Sequence, residues 1–415
     1  LPKSKPGGIK MKIYRLIILS AFILGISSLT SAQDGTALPF LDYPVSPSLN
    51  GMGAVGTALP TDDPFGFLYN PAQLGYTSRE NNLSFSIYPS SVDFSPGISS
   101  DVNAYAFNLG YDFNDLVGFP LSVGFGFARP ELTYGQFMAA SGNSTFEPRD
   151  YYHVYSIGAG IDYYVQFSAG LTYKNVTSIL SSLPGATGKV DLYDFGFMLN
   201  VPVISIIYKN PSVQFLRNVP ATPFLNLSFG YSQLNIGDEI YYIDPQQSDP
   251  VPRTARLGYG ISTGVDIKIK DNTVRILCFN FTVDAADILA KSDTLGFTSY
   301  QSGFGDISIG DNIINIKGDA NVLSHSGAKI DLVETVSILW GKFSGRHLNG
   351  IMQTSGYEIR AKGLFKLIET LEPKPVIKFI SDHFDLRYYN STYNKNMIQE
   401  NKFSGIALFV EGFTL

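Results

Sequence analysis

Any chemistry in this chain would have to come from a small set of residues: His153, His325, His347 and His383, the single Cys278, the adjacent carboxylates Asp62 and Asp63, and the run Gly51-Met52-Gly53-Ala54-Val55-Gly56. The histidines are scattered without metal-ligand spacing, which reads as loop or interior histidines and not as a metal centre. Ser324-His325 has the residue types of a hydrolytic pair. Sequence neighbours point to opposite faces of a strand, however, and no third member is evident, so a polar turn is the plainer reading. The glycine run fits G-x-G-x-x-G, but Pro44 and Pro47 stand where a strand should precede it, and Pro60 and Pro64 cut short any helix after it. It is not read as a nucleotide loop. The chain is therefore expected to have no catalytic residue, no metal and no cofactor, and not to be an enzyme.

The carboxylates and the glycine run belong to one stretch, Phe40 to Tyr76, which also holds Asn70-Pro71-Ala72. Glycine and proline this dense prevent a long helix or a ladder strand. Phe40, Leu41, Met52, Phe65, Phe67, Leu68 and Leu74 would still be poorly placed in water, so the segment needs walls around it.

Beyond Asn82 the walls are legible as alternation, the period of a strand with two unlike faces. Tyr105, Phe107, Leu109 and Tyr111 oppose Ala104, Ala106, Asn108 and Gly110. Leu121, Val123, Phe125 and Phe127 oppose Ser122, Gly124 and Gly126. The same pattern returns around Tyr155 to Tyr163, Val165 to Tyr173, Tyr193 to Leu199, Leu225 to Tyr231, Leu257 to Val265 and Leu277 to Val283. In that last strand Cys278, Asn280, Thr282 and Asp284 lie opposite. Weaker strands are placed near Ile307–Ile316, Ile330–Trp340, Met352–Phe365, Phe379–Tyr389 and Gly405–Leu415. Helical spacing occurs only in Tyr357 to Glu372, where Leu364, Leu367, Ile368 and Leu371 would form a stripe; the segment reads equally as a strand running into a loop.

A soluble sandwich also has one apolar face per strand, but its other face meets water and carries Lys, Glu and Thr. Here the second face is Gly, Ser, Ala and Asn. That fits a crowded barrel interior, with bulky residues turned to lipid and Tyr111, Tyr163 and Tyr173 in aromatic girdles. The fold class expected is all-β: a transmembrane antiparallel up-and-down β-barrel of about 14 strands, with an N-terminal plug inside the lumen. Ala128–Tyr151, Asp238–Thr254 and Ala285–Gly305 are the expected extracellular loops. Inside such a barrel Asp62-Asp63 has two readings: a turn accepting backbone hydrogen bonds before Pro64, or a latch onto a luminal Arg or Lys.

Composition agrees. Charged residues are 16% of the chain, against about 25% in ordinary soluble domains, while 25 Tyr and 30 Phe supply the aromatic coat. Residues 11–32 have the layout of a secretory signal: Lys12 and Arg15, the apolar run Leu16 to Ile26, and small residues ending at Ala32. Residues 1–10 precede the start at Met11 and are read as non-native residues or an overcalled leader, so the mature chain is expected to begin near Gln33. Without residues 1–32 the chain loses Lys3, Lys5, Lys10, Lys12 and Arg15 and no acids, leaving 25 basic against 36 acidic residues. An acidic exported chain is a poor partner for nucleic acid. One cysteine allows no internal disulfide. The organisation expected is leader 1–10, signal 11–32, plug 33–76 and barrel 77–415.

The order Phe40-Leu41, Pro44-Val45, Met52-Gly53, Ala58, Asp62-Asp63, Asn70-Pro71-Ala72 resembles the opening of the FadL-like outer-membrane barrels, and within them the PorV/PorQ group of Bacteroidetes-type bacteria. The resemblance covers roughly 35 residues and departs at Ser48, where the group often has Arg. It implies a bacterial outer-membrane protein whose plug or gate uses Met52, Gly53, Asp62, Asp63, Asn70, Pro71 and Ala72. It also implies a role as partner or shuttle in type IX secretion and surface attachment, with secreted proteins or secretion components as partners. The alternative is passive, FadL-like passage of hydrophobic small molecules. Membrane lipid is a partner in either case.

Overall fold

The alternation after residue 82 closes on itself. The computed structural model describes residues 35–43, 45–80, 82–95, 98–138, 145–183, 185–208, 213–216, 219–269, 272–292, 298–346, 348, 350–372, 374–393 and 400–412. The expected leader and signal, Pro44, His347, Phe413 and Leu415 lie outside these residues. Fourteen antiparallel strands form one ring: β1 (Leu83–Ser95), β2 (Ile98–Asp112), β3 (Leu121–Thr133), β4 (Arg149–Asp162), β5 (Gln166–Ile179), β6 (Thr187–Pro202), β7 (Val219–Gly237), β8 (Thr254–Ile269), β9 (Asn272–Ile288), β10 (Val322–Leu332), β11 (Val336–Ser344), β12 (Met352–Arg360), β13 (Phe384–Tyr393) and β14 (Asn401–Val410). Each pairs with its sequence neighbours, and β14 closes onto β1 with Val410 opposite Leu83. A short strand, Val213–Leu216, adds to the foot of β7.

The two faces separate as the alternation requires. Ala104, Ala106, Gly124, Gly126, Gly258 and Gly260 are buried on the inside, while Phe125, Ile157 and Leu171 stand 42%, 53% and 63% exposed on the outside. Phe127, Tyr259 and Ile261 share that outer face and are half-buried by their neighbours. Ring contacts run along it from Tyr105 to Phe127, Tyr155, Tyr173 and Tyr193, with centroids 5.3 to 6.4 Å apart. A coat of this size is untenable in water. In lipid it is the apolar band and aromatic girdle of a barrel whose ladder closes on itself. The protein is thus a membrane-spanning β-barrel. Tyr111 and Tyr163 do lie at strand ends, but Tyr173 is mid-strand, because β5 continues six residues beyond it.

The connections 134–148, 238–253 and 289–321 all emerge at one end, called here the loop end and taken as extracellular from their length. Several sequence boundaries move. Strand pairing continues to Thr133 and Ile288, so two of the expected loops begin later than Ala128 and Ala285. Ile307–Ile316 is not a strand but a π-helical turn, Ile309–Ile314, whose Ile313 packs on Ala285 and Val322. Ser324-His325 is not a turn: both lie in β10, Ser324 donating outward to the Asn312 carbonyl and His325 pointing inward. The Ile330–Trp340 stretch is a hairpin, and Met352–Phe365 is strand β12 followed by helix α3 (Ala361–Leu371), then α4 (Pro375–His383), at the other, turn end.

Candidate functional site

Residues 45–80 thread the lumen, and their sequence explains the path. Ser46 caps helix α1 (Pro47–Gly51) by accepting from the Leu49 N–H at 3.1 Å, and Pro47 supplies the fixed φ of a first helical residue. Gly53, at φ +79°, ends it where a Cβ would lie 2.7 Å from the Ser326 carbonyl of β10, so the turn and the close approach both demand glycine. Helix α2 (Gln73–Thr77) and one further turn to Glu80 deliver the chain to β1. Leu49, Met52, Val55, Phe65, Phe67 and Leu74 are at most 2% exposed. The small faces of the strands let this backbone in: a Cβ at Gly158 would lie 2.7 Å from the Gly75 nitrogen, and one at Gly170, Gly230 or Gly327 would collide with Pro71, Thr57 or Met52 backbone.

Polar side chains of the wall hold the same backbone at intervals. Asn108 donates to the Pro64 carbonyl at 3.1 Å, Ser122 to Gly75 at 2.7 Å, Ser232 to Tyr69 at 2.8 Å, His325 Nδ1 to Gly53 at 2.7 Å and Thr354 to Gly51 at 2.9 Å. The firmest clamp is charged. Asp284 Oδ2 accepts from the Gly56 and Thr57 N–H groups at 2.8 and 2.9 Å, while Arg256 donates to Thr57 Oγ1 and the Ala54 carbonyl and pairs with Asp284 at 3.3 Å.

The two adjacent carboxylates divide the roles between them. Asp63, buried, accepts from the Phe65 N–H at 2.8 Å and from Ser46 Oγ at 2.6 Å, as a turn carboxylate does. Burial pushes its pKa up to about 6, against those two hydrogen bonds. Asp62 instead meets Arg387 of β13 at 2.6 Å. Asn70 works in three directions, donating to the Thr57 carbonyl at 2.7 Å and the Phe197 carbonyl at 3.1 Å and accepting from the Ala72 N–H at 3.0 Å. Pro71 abuts Gly158 and Gly170, and Ala72 is fully buried. Met52 packs with Val55, Leu59 and Leu339.

Ser48 donates to Glu358, and that carboxylate is also held by Lys329 at 2.8 Å and Arg360 at 2.9 Å. The wall thus supplies the cations around this position, with serine at residue 48. The residues that sequence reading did not single out are these wall charges: Arg256, Lys329, Glu358, Arg360 and Arg387. A signal for them existed, since each occupies a lumen-facing position of an alternating strand. Asp284 was visible on such a face, without its role.

Above the segment, toward the loop end, the lumen is aromatic. Leu38, Phe40, Val45, Phe65, Tyr69, Tyr88, Tyr152, Tyr393 and Phe403 form one buried cluster, with Tyr43 and Phe343 against it. Phe40 meets Tyr152 at 5.5 Å and Tyr88 stacks on Phe403 at 6.1 Å. A cavity of about 80 Å³ remains there, bordered by Tyr43, Lys174, Arg256, His325 and Arg346, enough for roughly two or three waters. Beside the cluster the β1–β14 seam is short. It pairs from Leu83–Val410 to Ile87–Ile406, and beyond Pro89, which has no N–H, the Ser404 N–H turns to Ser90 Oγ at 3.2 Å.

No protein-family model and no curated protein matches the chain. Among solved structures it is similar to the Pseudomonas putida toluene transporter TodX (9% identity, 89% of this chain and 98% of that one, TM-score 0.41). It is also similar to the Ralstonia pickettii toluene transporter TbuX (12%, 88% and 98%, 0.40) and to a Pseudomonas aeruginosa FadL homologue (9%, 91% and 100%, 0.40).

Proposed function

We propose that the protein is a passive, non-enzymatic passage for hydrophobic small molecules across the outer membrane, with residues 35–80 as its plug. The observation that supports this reading is how residues 38–43 and Val45 fill the loop-end chamber. Leu38, Phe40 and Val45 occupy an aromatic-walled space that an apolar ligand of similar size could occupy in their place. Their contribution is mainly burial, about 1.5–3 kcal/mol for each large side chain, and such packing is exchangeable for a ligand with equal apolar surface. The Asp42 carboxylate is held at long range, by Thr254 at 3.3 Å and Arg346 at 3.6 Å, beside the short Ala37 N–H to Pro250 carbonyl bond. The deeper part, residues 45–75, is clamped by charge and backbone hydrogen bonds. A movable stopper on a fixed plug follows from that contrast.

The test is permeation by reconstituted protein. Vesicles carrying a variant without residues 35–43 should take up a hydrophobic dye such as N-phenylnaphthylamine faster than vesicles with the intact chain, with little change for a small sugar. Equal dye rates, or a parallel rise for the sugar, would sink the reading.

A second reading, partnership in type IX secretion as in the PorV/PorQ group, rests on the Phe40–Ala72 motif order and on one further feature. Apolar side chains stand exposed on the loop end, among them Met138 at 72%, Ile243 at 74% and Ile314 at 68%, a surface suited to gripping protein. Loss of exported surface proteins on deletion of the gene, with dye uptake unchanged, would favour it.

A further inference from the structure

The lipid-facing band is not equally tall around the barrel. On β4 its large apolar positions run from Tyr155 through Ile157 and Ile161 to Tyr163 in the following turn. On β12 the band holds only Tyr357 and Ile359 before Ser355 and Gln353, and on β14 it runs from Val410 to Ile406 before Ser404 and Lys402. At about 3.3 Å per residue and a tilt of about 40°, that is about 20 Å of apolar wall on β4 against about 5–10 Å on β12 and β14. A bilayer does not thin by about 10 Å on one side of a protein without cost.

At the foot of this short side lie α3 and α4. Helix α3 follows Ile359 by two residues. Its Gly363 is pressed against the Val333–Thr335 turn, whose flanks Leu332 and Val336 are outward and exposed, and Lys366 holds Glu334 at 2.6 Å. The helix is therefore fixed to the rim, continuous with the lipid-facing wall. Its stripe of Leu364, Leu367, Ile368 and Leu371 is 37–83% exposed, and α4 adds Val376 at 69% and Phe379 at 52%. The polar groups face each other instead: Ser381 donates to the buried Glu369 at 2.6 Å between the helices. Lys374 and Lys378 stand exposed on or beside α4, positioned for phosphate headgroups.

We propose that α3 and α4 lie in the periplasmic leaflet of the outer membrane, their apolar faces among phospholipid acyl chains, and extend the short lipid-facing band of β12 to β14 beyond its turn-end edge. A helix about 10 Å across adds, below Ile359 and Val410, about as much apolar height as the band lacks beside that of β4. The pair is thereby a lipid-binding surface and sets the depth and tilt of the barrel in the bilayer.

The test uses the full mature chain in phosphatidylethanolamine–phosphatidylglycerol vesicles, with Cys278→Ala to remove the native thiol and a nitroxide placed through Ile368→Cys, Leu371→Cys or Lys378→Cys. Labels at 368 and 371 should collide more with oxygen than with a water-soluble nickel chelate, and the label at 378 should show the reverse. Chelate access at 368 and 371 equal to that at 378 would overturn the proposal, as would shielding from both reagents, which would mean a protein surface covers the stripe. As an independent check, Leu367→Glu with Ile368→Glu should leave the heat-modifiable folded form intact in detergent while lowering insertion into these vesicles several-fold. Undiminished insertion would count against the proposal.

Discussion

Asp62 Oδ2 accepts from Arg387 Nη1 at 2.6 Å, joining the inner segment to β13 across 325 positions of sequence. Arg387 is already served by the wall: its Nε meets Asp385 of the same strand at 2.5 Å, and its guanidinium lies 3.9 Å from the centre of the Phe409 ring of β14. Arg387 and Asp385 are almost wholly buried, whereas the Asp62 side chain is 46% exposed. The three charges are therefore not equivalent.

The asymmetry gives a pair of expected outcomes. Arg387→Ala leaves Asp385 buried without its cation and should cost about 3–5 kcal/mol. Asp62→Asn removes one partly exposed, charge-assisted bond and should cost about 1 kcal/mol. Urea unfolding of the reconstituted barrel, followed by heat-modifiable migration, reads both. Equal losses would show that the wall pair does not stand on its own.

Gly53 and Gly75 should be intolerant for different reasons. At Gly53 a Cβ meets the Ser326 carbonyl at 2.7 Å on a backbone with φ +79°, and at Gly75 it would run into the Ala159 backbone. Neither obstacle is a flexible side-chain tip, so the segment itself must shift. Gly53→Ala and Gly75→Ala should each raise single-channel conductance while leaving the barrel folded. Gly118→Ala, with nothing within 4 Å of its Cβ though at φ +67°, should not change conductance.

The barrel was legible because lipid and a crowded interior each impose one residue class on alternate positions, as Phe125 against Gly124 and Gly126 shows. The inner segment's partners were harder to read. Asp62 and Asp63 are adjacent and chemically identical, yet one finds β13 and the other closes its own turn, a choice set by where α1 aims the chain. Long-range pairs such as Asp284 with Gly56 and Thr57 leave no local period. Helix α3 was ambiguous for another reason: its stripe begins directly where the strand period of β12 ends, so the two patterns overlap at Tyr357–Arg360.

Asp63 makes the inner segment sensitive to pH. Its carboxyl in the folded protein titrates near 6, above the ordinary 3.8, because burial disfavours the anion. A raised carboxyl pKa means that the folded state binds the proton more tightly than the unfolded one. Its contribution is complete below about 4 and is lost as pH rises through about 6. The wild type should therefore lose stability relative to Asp63→Asn between pH 4 and pH 7. A constant difference between the two across that range, read from unfolding midpoints, would contradict the assignment.

Deleting residues 40–76 separates the inner segment from the rest of the molecule most directly. Wall positions such as Gly158, Gly170, Gly230 and Gly327 are small because this backbone lies against them, so its loss opens the lumen where they stand. The ring itself keeps its full ladder, since β1 to β14 pair with one another and with no part of residues 40–76. Conductance should therefore rise sharply in the deletion variant. Removing the loop of comparable length at 289–321, which lies outside the strands at the loop end, should change conductance little. If both deletions conduct alike, residues 40–76 are not what closes the lumen, and the passage reading loses its gate.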